Sequence, residues 1–128
     1  MKLLLDTHTF IWWDSEPDKL SPPALAACQD RANTLLLSVA SVWEMQIKIQ
    51  LGKLKLNLPL SEVIEGQQKA NNTEVLPVML SHVFALQNLP THHKDPFDRM
   101  LIAQTNSENL TLISNDPVIA KYPVNLLW

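Results

Sequence analysis

Two glycines among 128 residues leave no place for a glycine-rich loop that cradles a nucleotide phosphate, and one cysteine leaves none for an internal disulfide. That cysteine, Cys28, lies in an Ala-rich, helix-like stretch and reads as a small core residue. A basic excess is missing too. Ten Lys and Arg stand against 13 Asp and Glu, a net charge of −3, which argues against a sequence-independent electrostatic grip on nucleic acid. No apolar run is long: Leu3 to Leu5 is interrupted at once by Asp6, far too short for a signal peptide or a membrane span, so a cytoplasmic protein without membrane attachment is expected. No Ser-His-Asp or Cys-His arrangement has local support, and there is no internal repeat, low-complexity segment or linker.

What is present is the composition of an ordinary globular protein, 46% hydrophobic and 18% charged, and the length predicts one domain over residues 1–128. Continuous apolar runs at Lys2 to Leu5, Leu35 to Leu37, Glu74 to Pro77 and Thr111 to Ile113 read as buried strands, with a last edge strand at Val124 to Leu127. Helical stretches alternate with them. A short helix through Phe10 to Trp12 is followed by one opened by the Ser21-Pro22 cap and running to about Arg31. Further helices run from Ser41 to a glycine stop at Gly52, from a Ser61 cap to about Asn71, and from Ser81 to Leu89, and the clearest opens at Asp95-Pro96 and reaches about Asn109. Residues Lys53 to Pro59 read as an irregular connection, and Asp116-Pro117 opens a short helix. Strand and helix alternating throughout predict an α/β fold, a three-layer α/β/α sandwich with a mainly parallel central sheet.

Four carboxylates, Asp6, Glu44, Asp98 and Asp116, fall where a strand-like run ends or a helix-like pattern begins. Each has a plainer reading. Ser41-Val42-Trp43-Glu44 matches a capping box, Asp98 sits at the third position after the Asp95 cap where the helix dipole favours negative charge, Asp116 precedes a proline as an N-cap does, and Asp6 can simply end a strand. Taken together they converge on the carboxyl edge of one parallel sheet, where clustered negative charge calls for a divalent metal. Oxygen ligands with no cysteine and no required histidine suit Mg²⁺. Asp95 is assigned to the cap, because an N-cap side chain accepts its own helix's amides while the third position points outward.

Other residues carry weaker signals. His8 lies two residues past Asp6, and the His92-His93 pair lacks the i, i+4 spacing and cysteine partners of a zinc site. Lys48, Lys53, Lys55, Lys94 and Arg99 are placed to line one rim of the acidic edge. The helix after Ser41 bears two apolar stripes, Val42, Met45 and Ile49 on one side and Trp43, Ile47 and Leu51 nearly opposite, with Glu44 and Lys48 between them at i, i+4. Two stripes need two partners, the sheet and either another helix or a second chain.

The segments LLDTHTFIWW at 4–13, SVASVWEMQIKIQLGKL at 38–54, LPTHHKDPFDRMLIAQ at 89–104 and LISND at 112–116 together resemble a PIN-domain ribonuclease of the VapC toxin type. The resemblance implies metal-binding acids at Asp6, Glu44, Asp98 and Asp116, with the Ser114 hydroxyl supporting them from behind. It also implies hydrolysis of RNA phosphodiester bonds with Mg²⁺ or Mn²⁺, Lys48 and Arg99 as candidate phosphate contacts, a homodimer, and neutralisation by a VapB-like antitoxin. Asn115 departs from the family, where that place is often basic. The alternative is a PIN fold kept as a catalytically silent binding module. A haloacid-dehalogenase-like phosphatase fits less well, since its second aspartate, two residues after the first, is His8 here, and neither the paired acid nor the phosphoacceptor of a response regulator is evident.

Overall fold

Leu3, Leu4 and Leu5 are wholly buried because alternate residues of the first strand face opposite layers, and both layers are covered. The computed structural model describes residues 1–128. Its strands are β1 (Lys2–Leu5), β2 (Thr34–Ser38), β3 (Glu74–Leu76), β4 (Thr111–Ile113) and β5 (Leu126–Leu127). All pair in parallel, in the order β3-β2-β1-β4-β5. The helices are α1 (Thr7–Ser15), α2 (Pro22–Gln29), α3 (Val39–Gln50), α4 (Leu60–Asn71), α5 (Leu80–Ala85) and α6 (Pro96–Ser107).

One core joins Leu3, Leu5, Leu35 and Leu37 to Phe10 of α1, Ala24 and Cys28 of α2, Met45 of α3 and Val63 of α4. The other joins Leu4, Leu36 and Leu112 to Leu101 and Ile102 of α6, and α5 packs on α6. Each fully buried leucine stabilises the fold by about 1.5–3 kcal/mol relative to an exposed one, which accounts for the central position of β1. Burial also pushes the Cys28 thiol up to about 11, so it is an inert core group. No helix is long and apolar enough to cross a membrane.

The three-layer sandwich agrees with the alternation in the sequence, and several boundaries move. The third helix starts at Val39, capped by Ser38, whose Oγ accepts the Ala40 amide at 3.0 Å. Strand β2 therefore feeds the helix with no intervening loop. Glu44 then lies in the second turn, and the capping box expected from Ser41 does not form. Leu60 and Leu80, one residue before the expected serines, begin α4 and α5, and Pro59 offers no side-chain cap. Gly52, at φ 71, follows α3 as the expected stop. A 3-10 turn at Ile119–Lys121 stands where a helix opened by Asp116 was expected. The second stripe of α3 finds little cover: Trp43 meets Phe97 edge-on at 5.2 Å, yet Trp43 and Leu51 are each 63% exposed.

Strand order matters for the site. The chain builds β1, β2 and β3 outward on one side and then returns to lay β4 on the other side of β1. The reversal opens a crevice beyond the carboxyl ends of β1 and β4, the place where open α/β sheets bind ligands.

Candidate active site

Asp6 directly follows β1 at this crevice. Its amide donates to Ile113 O of β4 at 3.1 Å, and its Oδ1 accepts the Thr9 amide at 2.7 Å, so it ends the strand and caps α1 at once. Burial raises its pKa, with the neighbouring Ser114 hydroxyl and Thr9 opposing. Asp116 lies three residues past β4; its amide donates to Ser114 Oγ at 3.1 Å and its Oδ1 accepts the Val118 amide at 2.8 Å. Ser114 thus stands between the two aspartates, behind them.

Asp98 comes from the first turn of α6. Asp95 caps that helix as expected, its Oδ1 accepting the amides of Phe97 at 2.8 Å and Asp98 at 3.4 Å, which leaves the Asp98 carboxyl free for the crevice. Its pKa is pushed up to about 7, first by burial and then by the negative charges of Asp95 and Glu44, with His93 opposing and Asp6 adding a little. The acids therefore feel one another. Glu44 is buried beside them, with Oε1 accepting from Thr7 Oγ1 at 2.6 Å and Oε2 paired with Lys48 Nζ at 2.9 Å.

Two participants were not assigned to the site from the sequence, Thr7 passed over and His93 set aside with His92 for lack of zinc-site spacing. Thr7 follows Asp6 and turns inward to orient Glu44. His93 reaches back from the loop before α6, its Nε2 standing 2.9 Å from Asp98 Oδ2 and 3.4 Å from Asp116 Oδ2. The only signal for it was position: a loop entering a helix at the sheet's carboxyl edge must pass over the crevice. His92 packs on Tyr122 instead, and His8 on Trp12.

Two candidate phosphate contacts are placed differently from one another. Lys48 lies at the rim, bound to Glu44. Arg99 is turned away from the acids: it donates to Pro90 O at 2.7 Å, Tyr122 Oη at 3.2 Å and Leu86 O at 3.4 Å, and so clamps the loop that carries His93. In this arrangement the Arg99 guanidinium is engaged by two loop carbonyls and the Tyr122 hydroxyl.

The donor set suits a divalent cation. Asp98, Asp116 and His93 offer three donor atoms all within 4.8 Å of one another. Asp6 and Glu44 stand outside that trio, although both charges act on Asp98. Lys48 is the one lysine or arginine ion-paired to any of the four acids, and it offsets Glu44 alone, leaving Asp6, Asp98 and Asp116 without a lysine or arginine partner.

A model of the PIN domain matches residues 3–125. The chain belongs to the PIN domain family. Among its relatives is ribonuclease VapC22 of Mycobacterium tuberculosis, 27% identical over 115 residues that span 89% of this chain and 86% of that one. The PIN fold is shared with VapBC2 of Rickettsia felis, in a structure with a promoter DNA fragment, at a TM-score of 0.75 and 17% identity, covering 99% of this chain and 98% of the other. FitAcB of Neisseria gonorrhoeae superimposes at a TM-score of 0.63, also 17% identical, over 98% and 96% of the two chains.

Proposed function

We propose that this PIN-domain protein is a metal-dependent endoribonuclease and the toxin half of a type II toxin–antitoxin pair. The observation that carries this reading is the crowding of donors at the β1/β4 crevice, where Asp98, Asp116 and His93 offer atoms within 4.8 Å of one another and the charges of Glu44 and Asp6 also act on the Asp98 carboxyl. Such frustration is tolerated where a ligand relieves it. Asp6, Asp98 and Asp116, with Glu44 beside them, are the residues that would hold Mg²⁺ or Mn²⁺. A bound divalent ion supplies an acidified water and charge neutralisation on the phosphoryl oxygens.

The rest is done by the chain. Ser114 and Thr9 hold Asp6, and Thr7 and Lys48 fix both oxygens of Glu44, so the carboxylates are oriented before substrate arrives. Next to them lies a groove of about 500 Å³ bordered by Lys48, Lys53 and Lys94 together with Glu44 and Asp95. Three lysines flanking the acids give an RNA backbone a path to them despite the net charge of −3. The homology to ribonuclease VapC22 and the likeness to VapBC2 support the RNA substrate and an antitoxin partner.

A homodimer is part of the proposal. Trp43, Met79, Leu80 and Phe84 stand between 52% and 67% exposed, near an apolar groove of about 410 Å³ formed by Val39, Trp43, Val78, Phe97 and Met100. A second copy burying this face would also cover Trp43 of the second stripe of α3, leaving Ile47 and Leu51 at the lysine-flanked groove.

Induced expression in a bacterium tests the toxin role. The wild type is expected to arrest growth with loss of intact RNA, while the Asp98→Asn variant at equal abundance leaves growth normal. Arrest by both would contradict the proposal.

A further inference from the structure

The third donor of the cluster is a nitrogen, and it is held in place. His93 donates its backbone amide to the buried Tyr122 hydroxyl at 2.7 Å, and the Asp95 amide approaches its Nδ1 at 3.3 Å. Arg99 grips the same tyrosine and the Pro90 carbonyl, so the loop is tied to α6 at both sides of the imidazole. The ring is directed at the acids.

Adjacent ligands of an octahedral cation with bonds of about 2.0–2.2 Å stand about 3 Å apart. His93 Nε2 lies 2.9 Å from Asp98 Oδ2 and 3.4 Å from Asp116 Oδ2. Both distances from Nε2 are those of adjacent ligands on one cation, and the two carboxylates offer oxygens within 4.8 Å of each other. Ligation through Nε2 places the ring proton on Nδ1 and gives up the contact with the Asp95 amide, which at 3.3 Å is long for a hydrogen bond.

We infer that His93 is a nitrogen ligand of the metal site and tilts its choice of ion from Mg²⁺ toward Mn²⁺ and the later transition metals. This rests on the metal-dependent reading above. Magnesium prefers oxygen, whereas imidazole strengthens binding of transition-metal ions, so one histidine among carboxylates changes the preference without closing the site to magnesium.

Mn²⁺ binding to the purified full chain, followed by calorimetry and by pulsed electron paramagnetic resonance, tests the inference. The wild-type Mn²⁺ complex is expected to show coupling to an imidazole nitrogen, changed by ¹⁵N-histidine labelling, retained in His92→Gln and His8→Gln, and lost in His93→Gln. His93→Gln should bind Mn²⁺ roughly tenfold or more weakly while Mg²⁺ affinity stays within about twofold. A wild-type complex without nitrogen coupling would overturn the inference and leave the metal site standing. So would Mn²⁺ binding as tight or tighter in His93→Gln, which would make His93 a plug in the cation's seat. Absence of any Mn²⁺ or Mg²⁺ binding that depends on Asp98 would remove the metal-dependent reading itself.

Discussion

Replacing Asp98 by Asn should stabilise the metal-free protein at pH 8 and do nothing for it at pH 4. The Asp98 carboxyl has its pKa raised from 3.8 to about 7 by burial and by the charges of Asp95 and Glu44. For an acid this sign means that the folded state holds a proton that the unfolded state has released. Folding stability is lost as pH rises through that interval, and the whole cost is present above about pH 7. About three pH units at roughly 1.36 kcal/mol each set a ceiling near 4 kcal/mol. The carboxyl keeps some contact with solvent, and counterions screen it, so about 1–2 kcal/mol is the expected gain. For a domain of this size each kcal/mol moves Tm by roughly 3–6 °C. Thermal unfolding in EDTA at pH 8 should therefore place the Asp98→Asn variant about 3–12 °C above the wild type, with the difference gone at pH 4. Millimolar Mn²⁺ at pH 8 should raise only the wild type and narrow the gap. A variant less stable than the wild type at pH 8, or a gain independent of pH, would refute the reasoning.

Thr7→Val removes the hydroxyl that donates to Glu44 Oε1 at 2.6 Å, and urea denaturation should show a loss of about 1–3 kcal/mol together with reduced but measurable RNA cleavage. The pair Lys53→Ala and Lys94→Ala, placed on an inactive Asp98→Asn background, should weaken RNA binding and lower the salt slope by about one per lysine that contacts phosphate. Trp43→Asp with Phe84→Asp should shift the sedimentation profile from dimer to monomer, because both side chains are more than 60% exposed in one chain.

Those outcomes bear on a fold that was largely legible in the sequence. Lys2–Leu5 and Thr111–Ile113 were read correctly as β1 and β4 because each is a short apolar run bounded by polar or turn residues. Asp95-Pro96 marked the start of α6 by the same local chemistry. The start of α3 was misread because two serines, Ser38 and Ser41, both precede helical sequence, and tertiary continuity with β2 chose the first. Asp6, Asp98 and Asp116 were picked out through strand and helix ends, and the fold places them at the carboxyl edge of the sheet. The plainer reading of Glu44 as the end of a capping box fails, since that box does not form; Thr7 and Lys48 orient its carboxylate instead. His93 was not legible, since its role depends on a loop path fixed by Tyr122 and Arg99 from other parts of the chain. The Arg99 side chain shows the converse, a charge near the acids in sequence that the fold employs on loop carbonyls.

Single-turnover cleavage of an end-labelled structured RNA, measured against Mg²⁺ concentration, tests the central claim most directly. The account predicts cleavage that rises with Mg²⁺, stops in EDTA, and falls at least about a hundredfold in Asp6→Asn, Asp98→Asn and Asp116→Asn, each confirmed as folded. Undiminished cleavage in EDTA, or equal rates for the wild type and Asp98→Asn, would contradict it.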